Sequence, residues 1–217
     1  MNSIHTILFD LDGTLINTNN LIQASFQYTF KTFGYEFTDE EVQQFNGPPL
    51  IDTFMSINRE QADDMLEVYQ KHNHAIHDAY VTAYPNAYET VSTLKEYGIK
   101  LGVVTTKMRL GAEMGLNLMG LTSFFETIIT FDDVEDTKPH PEPVLKAMNQ
   151  LNAKAATTLM VGDNYHDIGA GKNANVQTAG VAWSAKGEDF LLQYEPTYML
   201  DDLSELLQIV GVPSNNA

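Results

Sequence analysis

Asp10-Leu11-Asp12-Gly13-Thr14 puts two carboxylates one residue apart, at the end of the short apolar run Thr6-Ile7-Leu8-Phe9. Side chains at that spacing reach one centre only if the chain curls as it leaves the run, and Gly13 permits the curl. Close carboxylates repel, so the pair suits a cation or a shared proton. The same residues also compose an ordinary solvated turn, since Asp and Gly are common turn formers. Three further groups bear on that choice. Thr105 closes the run Leu101-Gly102-Val103-Val104 and is followed by Thr106 and Lys107. A hydroxyl and backbone N–H groups at such a place can hold phosphoryl oxygens. Lys138-Pro139 lies beyond the run Thr127-Ile128-Ile129-Thr130, and the proline biases Lys138 toward an extended conformation that can direct its ammonium inward. Gly162-Asp163-Asn164-Tyr165-His166-Asp167 follows Thr158-Leu159-Met160-Val161 and adds two carboxylates. Every group therefore stands at or beyond the carboxyl end of an apolar run, which scattered surface residues would not do.

Those runs, with Thr178-Ala179-Gly180-Val181, are short and apolar on both faces, the pattern of parallel strands buried on both sides. Between them lie helical patterns. Ala87 to Tyr97 carries Val91, Leu94 and Tyr97 at helical spacing and stops at Gly98, and Pro141 to Leu151 carries Val144, Leu145, Met148 and Leu151. Alternating strand and helix predicts an α/β fold with a doubly wound parallel sheet, which binds ligands at the carboxyl ends of its strands. Residues 16–80 break the alternation. Ile22, Phe26, Phe30 and Phe33 recur at helical spacing, as do Met65, Leu66 and Tyr69; Thr38 with Glu41 and Asn58 with Gln61 read as capping boxes. The prediction is an all-helical insert over 16–80, with 1–15 and 81–217 forming the core. The tail Pro213-Ser214-Asn215-Asn216-Ala217 reads as frayed.

The chain of 217 residues has a formal charge of −17, 43% hydrophobic residues and no cysteine. Such a charge argues against nucleic acid and anionic membranes as partners, because both need a basic face. An acidic protein that takes an anionic substrate needs a metal ion and local positive groups to reverse the field. No stretch approaches the roughly 20 apolar residues of a membrane span. Met1-Asn2-Ser3-Ile4-His5 lacks a basic segment followed by an apolar one, so the expectation is a cytoplasmic protein without disulfides or thiol chemistry.

In order and type, these groups resemble the four motifs of the haloacid dehalogenase-like hydrolase superfamily: Asp10 with Asp12, Thr105, Lys138, and Asp163 with Asp167. The resemblance covers essentially the whole chain, and the helical insert stands where that family carries a cap. It implies a Rossmann-like core and a phosphohydrolase, since dehalogenases lack the second aspartate that Asp12 supplies. By the resemblance, Asp10 is the nucleophile that forms an aspartyl-phosphate, and Asp12 the acid and base. It also implies Mg²⁺ held by Asp10, the Asp12 backbone carbonyl and Asp163, supported by Asp167. Lys138, Thr105 and the backbone N–H groups of Leu11 and Thr106 would bind the phosphoryl group. Within the superfamily the chain resembles the phosphoglycolate phosphatase-like branch, and more narrowly its Bacillus-type pyrophosphatases. Leu15-Ile16-Asn17-Thr18-Asn19, Val104-Thr105-Thr106-Lys107, Gly162-Asp163-Asn164-Tyr165-His166-Asp167 and Gly180-Val181-Ala182-Trp183 carry that likeness. Thr106 and Asn164 depart from the asparagine and serine more usual in glycolate phosphatases. The implied substrate is a small phosphorylated one, pyrophosphate first. Phosphoglycolate or another small monoester is the alternative, and a sugar phosphomutase or a silent binding protein the remoter readings.

Other residues are open to two readings. Lys107 and Arg109 are either contacts for the distal phosphate of pyrophosphate or solvated charges. His166 either touches substrate or packs. His72, His74 and His77 read as an exposed histidine-rich helix rather than a zinc site. Phe26, Phe30 and Phe33 read as core, Trp183 as structural, and Asp132-Asp133-Val134-Glu135-Asp136 as a solvated loop.

Overall fold

The computed structural model describes residues 3–45 and 47–212. The tail expected to fray, and Met1 and Asn2 of the segment read for a leader, lie outside the described residues. The chain opens with β1 (Thr6–Phe9) and β2 (Ile16–Asn17). It passes through α1 (Asn19–Thr32), α2 (Asp39–Gln44), α3 (Leu50–Ile57) and α4 (Ala62–Tyr80), and returns by β3 (Thr82–Ala83). Strand and helix then alternate through α5 (Ala87–Glu96), β4 (Lys100–Val104), α6 (Arg109–Leu118), β5 (Thr127–Ile129) and α7 (Glu142–Gln150). The chain continues with β6 (Thr158–Gly162), α8 (Tyr165–Asn173), β7 (Gln177–Val181), α9 (Glu188–Leu192), β8 (Tyr198–Leu200) and α10 (Glu205–Ile209). It divides into two compact units, Met1–Ile16 with Ala83–Ala217, and Asn17–Thr82.

The first unit holds a six-stranded sheet in the order β5-β4-β1-β6-β7-β8, and every pairing in it is parallel. This is the doubly wound α/β sheet that the alternation predicts. β1 is central, and all four of its residues are buried; a strand covered on both faces has little use for polar side chains, which is why its sequence is apolar but for Thr6. Leu8, Val104, Ile129 and Met160 of the sheet pack with Val144, Ala147 and Met148 of α7 and Ala170 of α8. Chain order reverses about β1, because β4 and β5 lie on one side of it and β6, β7 and β8 on the other. A crevice at the carboxyl ends of β4, β1 and β6 follows from that reversal. β8 has no counterpart among the expected strands.

The second unit is helical. Phe26, Phe30, Phe54, Met65 and Tyr69 form its core, with the Phe26 ring stacked on Phe30 at 5.5 Å and tilted against Tyr69 at 4.9 Å. Each such buried side chain contributes about 1.5–3 kcal/mol. Thr38 and Glu41 form the expected capping box on α2. Asn58 and Gln61 do not: α4 starts at Ala62, and the Asn58 side-chain amide donates to Gln61 Oε1 at 3.0 Å instead. The histidines of α4 also differ from an exposed row. His77 is fully buried, with Nδ1 2.8 Å from Asp78, and His72 stacks on Tyr28 at 4.0 Å. Among the described residues, no helix is long and apolar enough to cross a membrane.

Candidate active site

Asp10, Thr105 and Asp163 are each the first residue past a strand, β1, β4 and β6. These three strands are neighbours and in register, Phe9 lying between Val103 and Val161, so three chemically active side chains emerge side by side. The chain stays in line as it leaves the sheet: Asp10 N–H donates to the Val161 carbonyl at 2.8 Å, and Thr105 N–H to the Ile129 carbonyl at 2.9 Å. Lys138 enters from the segment between β5 and α7, across a cis bond to Pro139. Its ammonium donates to Asp10 Oδ1 at 2.6 Å, Asp167 Oδ1 at 2.6 Å and the Val104 carbonyl at 2.9 Å. Asp167 sits in the first turn of α8, where it and Asn164 form a capping box, and its Oδ2 accepts from Asn164 N–H at 3.0 Å.

Two glycines make this convergence possible. Gly13 has φ +84, and a Cβ on it would lie 2.3 Å from Asp163 Oδ2. A Cβ on Gly162 would lie 2.2 Å from Asp167 Cβ and Cγ. The first position needs a left-handed backbone as well as a close approach, and the second a close approach alone.

Asp10, Asp163 and Asp167 are buried, and each offers a carboxylate oxygen within 4.8 Å of the others. Burial pushes the Asp10 carboxyl up to about 7, against the pull of Lys138 and with Asp167 adding to the rise. Asp163 is held well above its usual range by burial and then by Asp10 and Asp167. Burial alone would lower Lys138, but the carboxylates of Asp10 and Asp167 hold its ammonium above the ordinary lysine value. One buried ammonium faces three buried carboxylates, which is an unbalanced charge. An all-oxygen, anionic donor set of this kind fits a hard divalent cation. Mg²⁺ at about 100 times its Kd is therefore expected to stabilise the metal-stripped protein by roughly 2.7 kcal/mol, or about 5–10 °C in melting temperature. Thermal melting of wild type and Asp163→Asn in EDTA and in Mg²⁺ checks this. An equal shift in both would take the cation away from the cluster.

The remaining motif residues have partners of their own. Lys107 Nζ donates to both oxygens of Asp12 at 3.0 Å, and Lys107 N–H donates to Thr105 Oγ1 at 3.1 Å. Lys107 is thus not a solvated charge; it clasps Asp12, and the two side chains are only 13% and 18% exposed. Leu11 lies buried between Asp10 and Asp12, its carbonyl taking the N–H groups of Thr14, Leu15 and Ile16. Thr106 stands next to Thr105 in the loop that opens α6. Arg109 is partly exposed, and its guanidinium is taken up by groups of the protein itself. It donates to Asp133, to Glu113 at 3.4 Å and to the Ile128 carbonyl at 3.2 Å. This also corrects the reading of the acidic run, whose Asp133 closes on Thr130 and Arg109 and whose Asp132 accepts from Arg109 N–H at 2.7 Å. His166 is packed: Nδ1 lies 3.0 Å from Asn164 Oδ1, and burial lowers the ring to about 4.

The loop after β7, marked in the sequence only as far as Trp183, carries further functional candidates. Trp183 Nε1 donates to the Gly13 carbonyl at 3.0 Å, and Ser184 Oγ to the Asp163 carbonyl at 2.7 Å. Lys186 N–H donates back to Ser184 Oγ at 3.2 Å. For Ser184 and Lys186 the sequence signal is their place just past the carboxyl end of a strand and the Gly180–Trp183 segment.

A family model of haloacid dehalogenase-like hydrolases matches residues 7–181, a span that takes in all of these loops up to the end of β7. The chain belongs to that family. As a haloacid dehalogenase-like hydrolase it is an enzyme, and it has well-matched relatives. It is 54% identical to "Pyrophosphatase PpaX" of Oceanobacillus iheyensis over 96% of this chain and 98% of that one. The protein of the same name from Anoxybacillus flavithermus is 56% identical over 98% and 99%. Among solved structures, a haloacid dehalogenase-like hydrolase from Streptococcus pneumoniae matches with a TM-score of 0.85 at 25% identity, covering 96% of this chain and 99% of that one.

Proposed function

We propose that this hydrolase is a magnesium-dependent pyrophosphatase that works through an aspartyl-phosphate on Asp10. The observation that carries the mechanism is the buried Lys138 ammonium bracketed at 2.6 Å by Asp10 and Asp167. The choice of pyrophosphate is supported by the name of the relatives at 54% and 56% identity. Residues 17–82 are the cap of this enzyme, and the sheet-bearing unit is its catalytic core.

Lys138 and the Thr105 hydroxyl, with the backbone N–H groups of Leu11 and Thr106, hold the phosphoryl oxygens in line with Asp10. The Asp10 carboxylate attacks phosphorus, and the bridging P–O bond breaks as Asp12 gives its proton to the departing phosphate. Asp12 then takes a proton from water, whose oxygen attacks the aspartyl-phosphate and frees Asp10. Lys107 keeps the Asp12 side chain at one place through both transfers. Asp10, Asp163 and the Asp12 backbone carbonyl, supported by Asp167, would hold Mg²⁺, which would supply charge that offsets the phosphoryl oxygens. Phosphoryl transfer needs alignment and charge compensation above all, and these residues offer both.

Mg²⁺-dependent phosphate release from pyrophosphate and from 2-phosphoglycolate, measured in parallel, tests the reading. Pyrophosphate is expected to give the higher kcat/KM. Preference for the glycolate ester would leave the mechanism and replace the substrate.

A further inference from the structure

The basic residues nearest the site are nearly all engaged. Lys138 serves Asp10 and Asp167, Lys107 serves Asp12, and Arg109 serves Asp133 and Glu113. Elsewhere in the sheet-bearing unit Lys95 pairs with Glu126 and Lys172 with Glu195, while Lys100 and Lys146 donate to backbone carbonyls. Lys154 precedes β6 and so stands at the far end of the sheet.

Lys186 is different. It lies in the loop after β7, half-buried, and its ammonium is held over two ring faces, 5.6 Å from the centre of Tyr165 and 5.5 Å from that of Phe190. Among the described residues, no carboxylate or carbonyl takes a hydrogen bond from it. Ring faces hold a cation without using its N–H donors, so three donors remain for an anion. The cage is itself well built: Tyr165 stacks on Tyr194 at 5.3 Å and meets Phe190 edge-on at 6.2 Å. It is also fixed to the site. Tyr165 is two residues past Asp163, and the Lys186 backbone is tied to the Asp163 carbonyl through Ser184 Oγ. The neighbouring Trp183 is tied to the Gly13 carbonyl, next to Asp12. The loop therefore carries its cation at a set position beside the carboxylate cluster.

We propose that Lys186 binds the anionic group on the leaving side of the substrate, which for pyrophosphate is the distal phosphate. This rests on the phosphohydrolase reading above and gives it a recognition residue. The lysine and its aromatic holder would select substrates carrying a second anionic group over simple monoesters.

The test compares kcat/KM on pyrophosphate, 2-phosphoglycolate and phenyl phosphate for wild type, Lys186→Met and Lys186→Arg. Methionine keeps an apolar stem against the rings and removes the charge. Lys186→Met is expected to lose roughly 10- to 100-fold on the preferred substrate with a second anionic group, and no more than about threefold on phenyl phosphate. Lys186→Arg is expected to recover most of the loss. An equal loss on all three substrates, or none on any, would overturn the proposal whichever substrate wild type prefers. Preference of wild type for 2-phosphoglycolate would remove pyrophosphate as substrate, and a selective loss on that ester in Lys186→Met would still uphold the lysine's role.

Discussion

Asp10→Asn is expected to lower Mg²⁺-dependent phosphate release by on the order of 10⁴-fold or more, the scale on which loss of a covalent nucleophile is felt. The substitution keeps the shape of the side chain and its place past β1, and it removes the oxygen that would attack phosphorus. The fold should survive, because the cluster of Asp10, Asp163 and Asp167 holds three carboxylates against the single ammonium of Lys138. Taking away one negative charge eases that imbalance, so the metal-stripped variant should melt no lower than wild type. Acid-quenched mixtures with labelled pyrophosphate give the second readout. Label should stay on wild-type protein and be missing from the variant. Turnover within tenfold of wild type would remove Asp10 as the nucleophile, and labelled variant would move the phosphoryl group to another residue.

The parts of this enzyme that could be read from its residues are those that local physics dictates. β1 runs over Thr6–Phe9, as the run of β-branched and apolar residues has it, because a strand buried on both faces carries few polar side chains to blur its ends. Asp10, Thr105 and Asp163 stand out in the sequence because a polar residue that ends such a run marks the carboxyl end of a strand. Features set by distant pairing were not legible in the same way. Lys107 and Asp12 are 95 residues apart, and nothing near either one announces the clasp between them. Arg109 and Asp133 form a similar pair, so an acidic run that looked solvated is partly spent on capping Thr130 and binding an arginine. β8 escaped notice because it is three residues long and pairs only with β7 at the edge of the sheet. His77 was misjudged because spacing says which face of a helix a side chain shares and is silent on what packs against that face. The loop from Trp183 to Lys186 shows the same limit: its hydroxyl, indole and ammonium acquire meaning only once β7 is placed beside β6.

Lys138→Met is expected to damage both stability and activity, and the two effects should separate with Mg²⁺. The lysine is 4% exposed and bridges two buried carboxylates at 2.6 Å. Removing one partner of a buried ion pair strands the other charge, at a cost of roughly 3–5 kcal/mol, or roughly 6–20 °C in melting temperature for a chain of this length. Methionine fills the volume, so the loss reports on charge rather than on a cavity. In Mg²⁺ the stranded carboxylates regain a positive neighbour, and the variant should recover more melting temperature than wild type gains. Activity should not follow that recovery. Lys138 also faces the phosphoryl oxygens in the proposed mechanism, and loss of a donor that meets developing charge typically costs roughly 10²–10³-fold. Folding and chemistry are thus measured on the same variant under the same ion. A variant as stable as wild type in EDTA would show that the carboxylates are already compensated without the lysine. A variant whose turnover returned along with its melting temperature would make Lys138 a structural ion-pair partner alone, and leave Thr105 and the backbone N–H groups to carry the phosphoryl charge.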